Sequence, residues 1–151
     1  MADLPDVNIW LALAWDGHAG HPAARAWWES AAQPPVCFCR VSQMALLRLL
    51  TNASALGKDS KSQAEAWNIY DALRHSRRVE FFEEPSGFEE AWRKFSARGV
   101  PATKRWTDDY LAAFAVAHRL RIVTFDEGFQ SYANLPVTLL TMPAQPILPA
   151  S

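Results

Sequence analysis

Asp6, Asp108 and Asp126 are the residues of this chain whose type and placement suit chemistry. Each falls where a strand should end or a helix should begin. Asp6 follows the short run Ala2–Pro5. Asp108 and Asp109 follow Thr107, the expected N-cap of a helix whose stripe is Leu111, Phe114, Ala115 and His118. Both aspartates lie where the helix dipole favours negative charge. Asp126 closes the apolar, β-rich segment Ile122–Phe125. In open α/β sheets, sites form beyond the carboxyl ends of the parallel strands, so these positions can converge. Ionised carboxylates sharing a cleft repel one another and raise one another's pKa. A hard divalent cation relieves that repulsion. Mg²⁺ takes oxygen ligands, commonly a few carboxylates, waters and a phosphate oxygen. It can polarise a phosphodiester and lower the pKa of a bound water. Helix starts and strand-ending turns also attract aspartate for local hydrogen-bond reasons. Asp109 and Glu127 neighbour the chosen residues, and spacing alone does not choose within either pair.

The elements that must position these acids alternate along the chain. Strands are expected at Ala2–Pro5, Val36–Cys39, Val79–Phe82, Ile122–Phe125 and Val137–Leu140. The first is the least regular, because Pro5 cannot donate a ladder hydrogen bond. Helices are expected at Asn8–Trp15, from Pro22 to Ala31, at Gln43–Thr51 behind Ser42, at Lys61–His75, behind Ser86, and behind Thr107. Asn52–Lys58 reads as a loop. This order implies an α/β fold with a parallel sheet and helices on both faces. The expected layout is one domain over residues 1–142, followed by a flexible proline-rich tail over 143–151.

At 151 residues and 50% hydrophobic composition, the chain can build a real core. A net charge of −1 provides no global positive field, so any polyanion must be held by local patches or through a cation. Cys37 and Cys39 are too few for a disulfide framework, and bridging along a strand is geometrically poor. They read as small core residues. With His18 and His21 they would make an atypical zinc set. No signal-like or membrane-spanning stretch is present, so a soluble cytoplasmic protein without a membrane partner is expected.

Three stretches carry a family resemblance. They are Asp6-Val7-Asn8-Ile9-Trp10-Leu11-Ala12-Leu13, Thr107-Asp108-Asp109-Tyr110-Leu111-Ala112-Ala113, and Val123-Thr124-Phe125-Asp126-Glu127-Gly128-Phe129. In this order they resemble the motifs of PIN-domain nucleases, and most of all the VapC-type toxins of bacterial toxin–antitoxin pairs. The segment Val41–Asn52, and His18 and His21 with Trp27, are similar to that subfamily too. The resemblance implies a three-layer α/β/α fold with a mainly parallel sheet of about four to five strands. It also implies Mg²⁺- or Mn²⁺-dependent cleavage of RNA, homodimers, and inhibition by a small VapB-type antitoxin protein. By matching positions, Asp6, Asp108 and Asp126 take the catalytic, metal-binding carboxylate roles, with Asn8 and Thr124 in support. Gln43 stands where the family usually has a glutamate. An amide oxygen can bind a cation but brings no charge, so weaker metal affinity is expected. The alternative reading is a non-catalytic PIN-fold module that binds RNA or protein. Lys104 and Arg105, just before the acidic helix, are candidates to steer RNA phosphates.

Overall fold

The computed structural model describes residues 1–143. Its sheet is built from β1 (Asp3–Pro5), β2 (Val36–Phe38), β3 (Val79–Phe81), β4 (Arg121–Thr124) and β5 (Val137–Leu139). The strand order is β3-β2-β1-β4-β5 and every pairing is parallel. The chain moves outward from β1 in one direction and then returns to its other side, so the topological switch point lies between β1 and β4. That is where doubly wound sheets open a crevice at their carboxyl edge.

Pro5 does sit in a strand, and the strand is central. It is tolerated because it is the last residue of β1. Its missing N–H falls on the side of β2, and the β1–β2 register is limited to Asp3 opposite Val36. On the other side β1 stays zipped to β4 from Asp3 to Pro5, and the Asp6 N–H continues to the Val123 carbonyl at 2.9 Å.

The helices are α1 (Val7–Ala14), α2 (His21–Ser30), α3 (Arg40–Leu50), α4 (Ala53–Leu56), α5 (Gln63–His75), α6 (Phe88–Ser96) and α7 (Trp106–His118). Alternation along the strands sorts them into two layers. Leu4, Cys37 and Ile122 pack against α6 and α7, with Phe88, Tyr110 and Phe114. Val36, Phe38 and Val123 face the opposite layer, with Ile9, Trp10, Trp27, Leu46 and Tyr70. Trp10 lies flat on Phe38 with ring centroids 3.9 Å apart. Burying a side chain of this size contributes about 1.5–3 kcal/mol. At the amino edge, away from the crevice, the buried Asp3 carboxylate accepts from Arg121 at 2.8 and 3.0 Å and from the Gln33 N–H at 2.7 Å.

Helix starts are where the structure departs most from the expectations above. Thr107 is not an N-cap. A turn of 3-10 helix over Thr103–Arg105 runs straight into α7, so Thr107 is the second residue of the helix and is exposed. Ser42 does not cap α3 either. The helix starts at Arg40, and the Ser42 hydroxyl reaches back to the Cys39 N–H at 3.0 Å, as the third residue of a capping box does. Gly87, at φ +79, precedes α6 in place of Ser86. Asn52–Lys58 contains α4, because the Asn52 side chain caps it by accepting from the Ser54 N–H at 2.9 Å. All five strands are displaced or shortened by one residue against the expected ranges, as is common at element ends. The expected flexible tail falls almost wholly on residues 144–151, outside the described residues. No described helix is long and apolar enough to cross a membrane.

Gly20, between α1 and α2, allows a close approach. A Cβ there would overlap the ring of Phe125, the residue before Asp126, on which His18 also stacks. Gly20→Ala is expected to cost about 1–3 kcal/mol of stability, measured by denaturant unfolding. An unchanged midpoint would show that the loop moves away freely.

Candidate functional site

The switch point between β1 and β4 holds two of the three acids. Asp6 is the first residue past β1 and caps α1. It is only 6% exposed. One carboxylate oxygen accepts the Val7 N–H at 2.7 Å and the other accepts the Thr124 hydroxyl at 3.1 Å. Thr124, the last residue of β4, is fully buried, and its Oγ1 also accepts the Asp126 N–H at 2.9 Å. One hydroxyl therefore ties the acid after β1 to the acid after β4. The Asp126 carboxylate is exposed and accepts the Gly128 N–H at 2.8 Å, capping the 3-10 turn that follows.

Asp108 approaches from the first turn of α7 and is half-buried. Burial first, then the charges of Asp6 and Asp126, push its carboxyl up to about 6, with Arg105 opposing. Asp6 is raised as well, by burial and to a smaller extent by Asp126, although its bonds from Val7 and Thr124 pull the other way. The three acids thus share one electrostatic environment. Among the described residues, no three His, Cys, Asp or Glu side chains already stand close enough together to form a metal cage. The donor set still suits a hard divalent cation: it consists of carboxylate oxygens in repulsion, with lone pairs to spare beyond the bonds they accept.

This electrostatic pattern has a pH signature. Folding raises Asp108 from 3.8 to about 6. In that window the folded chain holds a proton that the unfolded chain has released, so the Asp108 contribution to stability falls as pH rises through it. A cation opposes that loss. Mn²⁺ is therefore expected to raise Tm more near neutral pH than at about pH 5. Equal gains in a thermal melt would count against metal binding at these acids.

Asp109 and Glu127 separate clearly from their neighbours. Asp109 turns away from the cleft and is buried, gripped by both Arg98 terminal nitrogens at 2.6 and 2.7 Å and by the Tyr132 hydroxyl. Burial raises its carboxyl, but Arg98 and Tyr132 outweigh burial and hold it below the ordinary range. Glu127 is exposed in the first position of the 3-10 turn.

The remaining candidates are placed as follows. Asn8 is exposed on the first turn of α1 and makes no side-chain hydrogen bond among the described residues. Gln43 is buried, and its Oε1 accepts from Arg40 Nη1 at 2.6 Å. An arginine only donates, so this contact assigns the amide oxygen to Arg40. Lys104 is exposed. Arg105 is half-buried, stacks 5.3 Å over the Tyr132 ring and donates to its hydroxyl at 3.0 Å. Cys37 and Cys39 are buried. His18 accepts the Gly20 N–H, and His21 contacts the Ala12 carbonyl at 2.6 Å. Sequence reasoning missed Arg40, Arg98 and Tyr132. Arg40, three residues before Gln43 on one helix face, was the only one with a readable signal.

The model of the PIN domain family matches residues 4–135. Ribonuclease VapC41 of Mycobacterium tuberculosis H37Rv is 44% identical over 142 residues, which is 91% of this chain and 97% of the relative. Among solved structures, VapC20 of Mycobacterium tuberculosis, described as a sarcin-ricin loop cleaving toxin, superposes with a TM-score of 0.64 at 20% identity. It covers 86% of this chain and 94% of its own. VapBC2 of Rickettsia felis, bound to a DNA fragment from its promoter, gives a TM-score of 0.63 at 12% identity, over 93% and 99%. At such identities the two structures speak for the fold, whereas the family match and the 44% relative speak for kinship. On that kinship the chain belongs to the PIN-domain family, among its VapC-type toxin ribonucleases.

Proposed function

We propose that this chain is the toxin of a toxin–antitoxin pair and hydrolyses RNA phosphodiester bonds at the cleft of Asp6, Asp108 and Asp126, with Mg²⁺ or Mn²⁺ held by these carboxylates. The observation that carries the reading is the tie of Asp6 to Asp126 through Thr124, with Asp108 pushed up by burial and then by both charges. When bound, such a cation polarises the phosphodiester and lowers the pKa of a bound water. The chain's own residues do the rest. Asp6 and Asp126 would hold the ion through their unshared lone pairs. Thr124 fixes the spacing between them, and Asp108 closes the third side. Lys104 and Arg105, at the entrance to α7, draw the RNA backbone toward the acids, and Asn8 flanks the cleft from α1.

The relatives' kind extends the proposal to a small VapB-type antitoxin as inhibitor, to action in the cytoplasm, and to a homodimer. The exposed Met44 and Trp67, on the adjoining helices α3 and α5, suit a self-association seam. One observation favours a second reading, a PIN-fold module that binds without cutting: the uncharged Gln43 has its oxygen engaged by Arg40. The deciding experiment incubates the purified chain, free of antitoxin, with single-stranded RNA and Mg²⁺, Mn²⁺ or chelator. Cleavage that needs the metal and disappears in Asp126→Asn is the expected result. RNA bound intact under every condition would establish the binding module instead.

A further inference from the structure

On the same carboxyl edge of the sheet as the acidic cleft lies a second feature that metal-assisted hydrolysis does not use. Arg40 emerges just past the carboxyl end of β2, where Pro5 has cut short the pairing with β1. Its guanidinium is held in place from two sides. Gln43 Oε1 takes one N–H at 2.6 Å, and the Phe81 ring lies under it at 4.7 Å. Among the described residues Arg40 makes no ion pair, so the rest of its donor fork is open. It faces a hollow of about 300 Å³ lined also by Phe82, Glu83, Glu84 and Tyr110. Glu84 is fixed there too, accepting the Tyr110 hydroxyl at 2.7 Å through one oxygen and keeping the other. Arg40 follows β2 and Phe82–Glu84 follow β3, so the hollow opens on the same carboxyl edge of the sheet as the cleft, one and two strands over from β1.

The charges restrict what fits. A phosphate would meet two glutamates, and a metal ion would meet a guanidinium. The lining of the hollow suits a neutral group that accepts hydrogen bonds on one edge and donates them on another, against the side chains of Phe82 and Tyr110. Among nucleobases guanine has this pattern, with O6 and N7 as paired acceptors matched to the arginine fork. Its N1–H and N2 amine are donors matched to a carboxylate. Adenine reverses the donor at the first edge, and the pyrimidines lack the paired acceptors of a purine edge.

We propose that this hollow reads a guanine of single-stranded RNA next to the cleaved bond, with Arg40 on its O6/N7 edge and Glu84 on its N1/N2 edge. Gln43 acts here as a positioning residue that aims Arg40, which gives a role to the amide in place of the family's acid. The inference rests on the proposed action on RNA, and its test is arranged so that the two fail separately. Short fluorescent RNAs that differ only in one guanine, adenine or inosine are titrated against the intact chain carrying Asp126→Asn, with anisotropy as the readout. Cleavage by the wild-type chain is measured in parallel.

Guanine is expected to bind about tenfold more tightly than adenine, with inosine between them because it lacks the N2 amine. Arg40→Ala and Glu84→Gln should each level that ratio. Arg40→Lys should restore overall affinity without restoring the ratio, because an ammonium has no planar fork. Equal binding of guanine and adenine, or a guanine preference that survives both Arg40→Ala and Glu84→Gln, overturns the proposal. Cleavage without base preference would remove the subsite and leave the ribonuclease. Guanine-selective binding without cleavage would do the reverse.

Discussion

Asp6→Asn is expected to lower metal-dependent RNA cleavage by a factor on the order of 10²–10³ and, in the metal-free protein at neutral pH, to raise Tm. The two effects share a cause. The Asp6 carboxylate is buried in the crevice, and burial together with Asp126 raises its pKa. A carboxyl whose folded pKa is raised lowers stability once pH passes through the window above its unfolded value. The amide removes the charge and keeps the shape, and its oxygen still accepts the Val7 N–H. It also removes the negative charge a cation would need. Such opposition between activity and stability marks a functional carboxylate. The paired measurement is cleavage rate and thermal melting of the same preparation. Wild-type cleavage in Asp6→Asn, or a fall in Tm alongside lost cleavage, would identify Asp6 as only a helix cap.

Asp108 and Asp109 should give opposite results despite being adjacent. Asp108→Asn is expected to reduce cleavage on the order of 10²–10³-fold with Tm unchanged or raised, since its carboxyl is strained by burial and by two like charges. Asp109→Asn is expected to cut Tm sharply while cleavage by the folded fraction stays within a few-fold. Its carboxylate holds Arg98, which follows α6, and Tyr132, which follows the 3-10 turn, and Tyr132 in turn supports Arg105. Because the folded carboxyl is depressed, its contribution is present above the unfolded pKa and is lost as pH falls through the folded one. The Tm deficit of Asp109→Asn should therefore shrink in acid below about pH 4. If the two variants exchanged phenotypes, the roles assigned to the two residues would be reversed.

These residues also show what a linear reading can reach. Asp108 and Asp109 are alike in type, neighbours and position in the first turn. One helical step of about 100° turns one toward β1 and β4 and the other toward Arg98. The partner that decides the matter, Arg98, lies eleven residues earlier across an irregular loop, where no periodicity applies. The helix starts were misread for a related reason. Thr107, Ser42 and Ser86 have cap chemistry, but a 3-10 turn leads into α7, Cys39 and Ser42 form a capping box that starts α3 earlier, and Gly87 precedes α6, so the starts differ by one to three residues.

By itself the sequence determined the class of fold, because alternating apolar strands and amphipathic helices bury their surfaces only as a layered α/β sheet. It also determined that acids would stand at the ends of β1 and β4 and at the start of α7, since those residue types terminate strands and begin helices. Only the tertiary structure decided which acids share a cleft. Strand order placed β1 beside β4, the Thr124 hydroxyl joined Asp6 to Asp126, and Arg98 drew Asp109 away. It also decided that the Gln43 oxygen faces Arg40. Each of these depends on contacts between residues far apart in the chain or on the direction of a side chain, and neither is encoded in local periodicity.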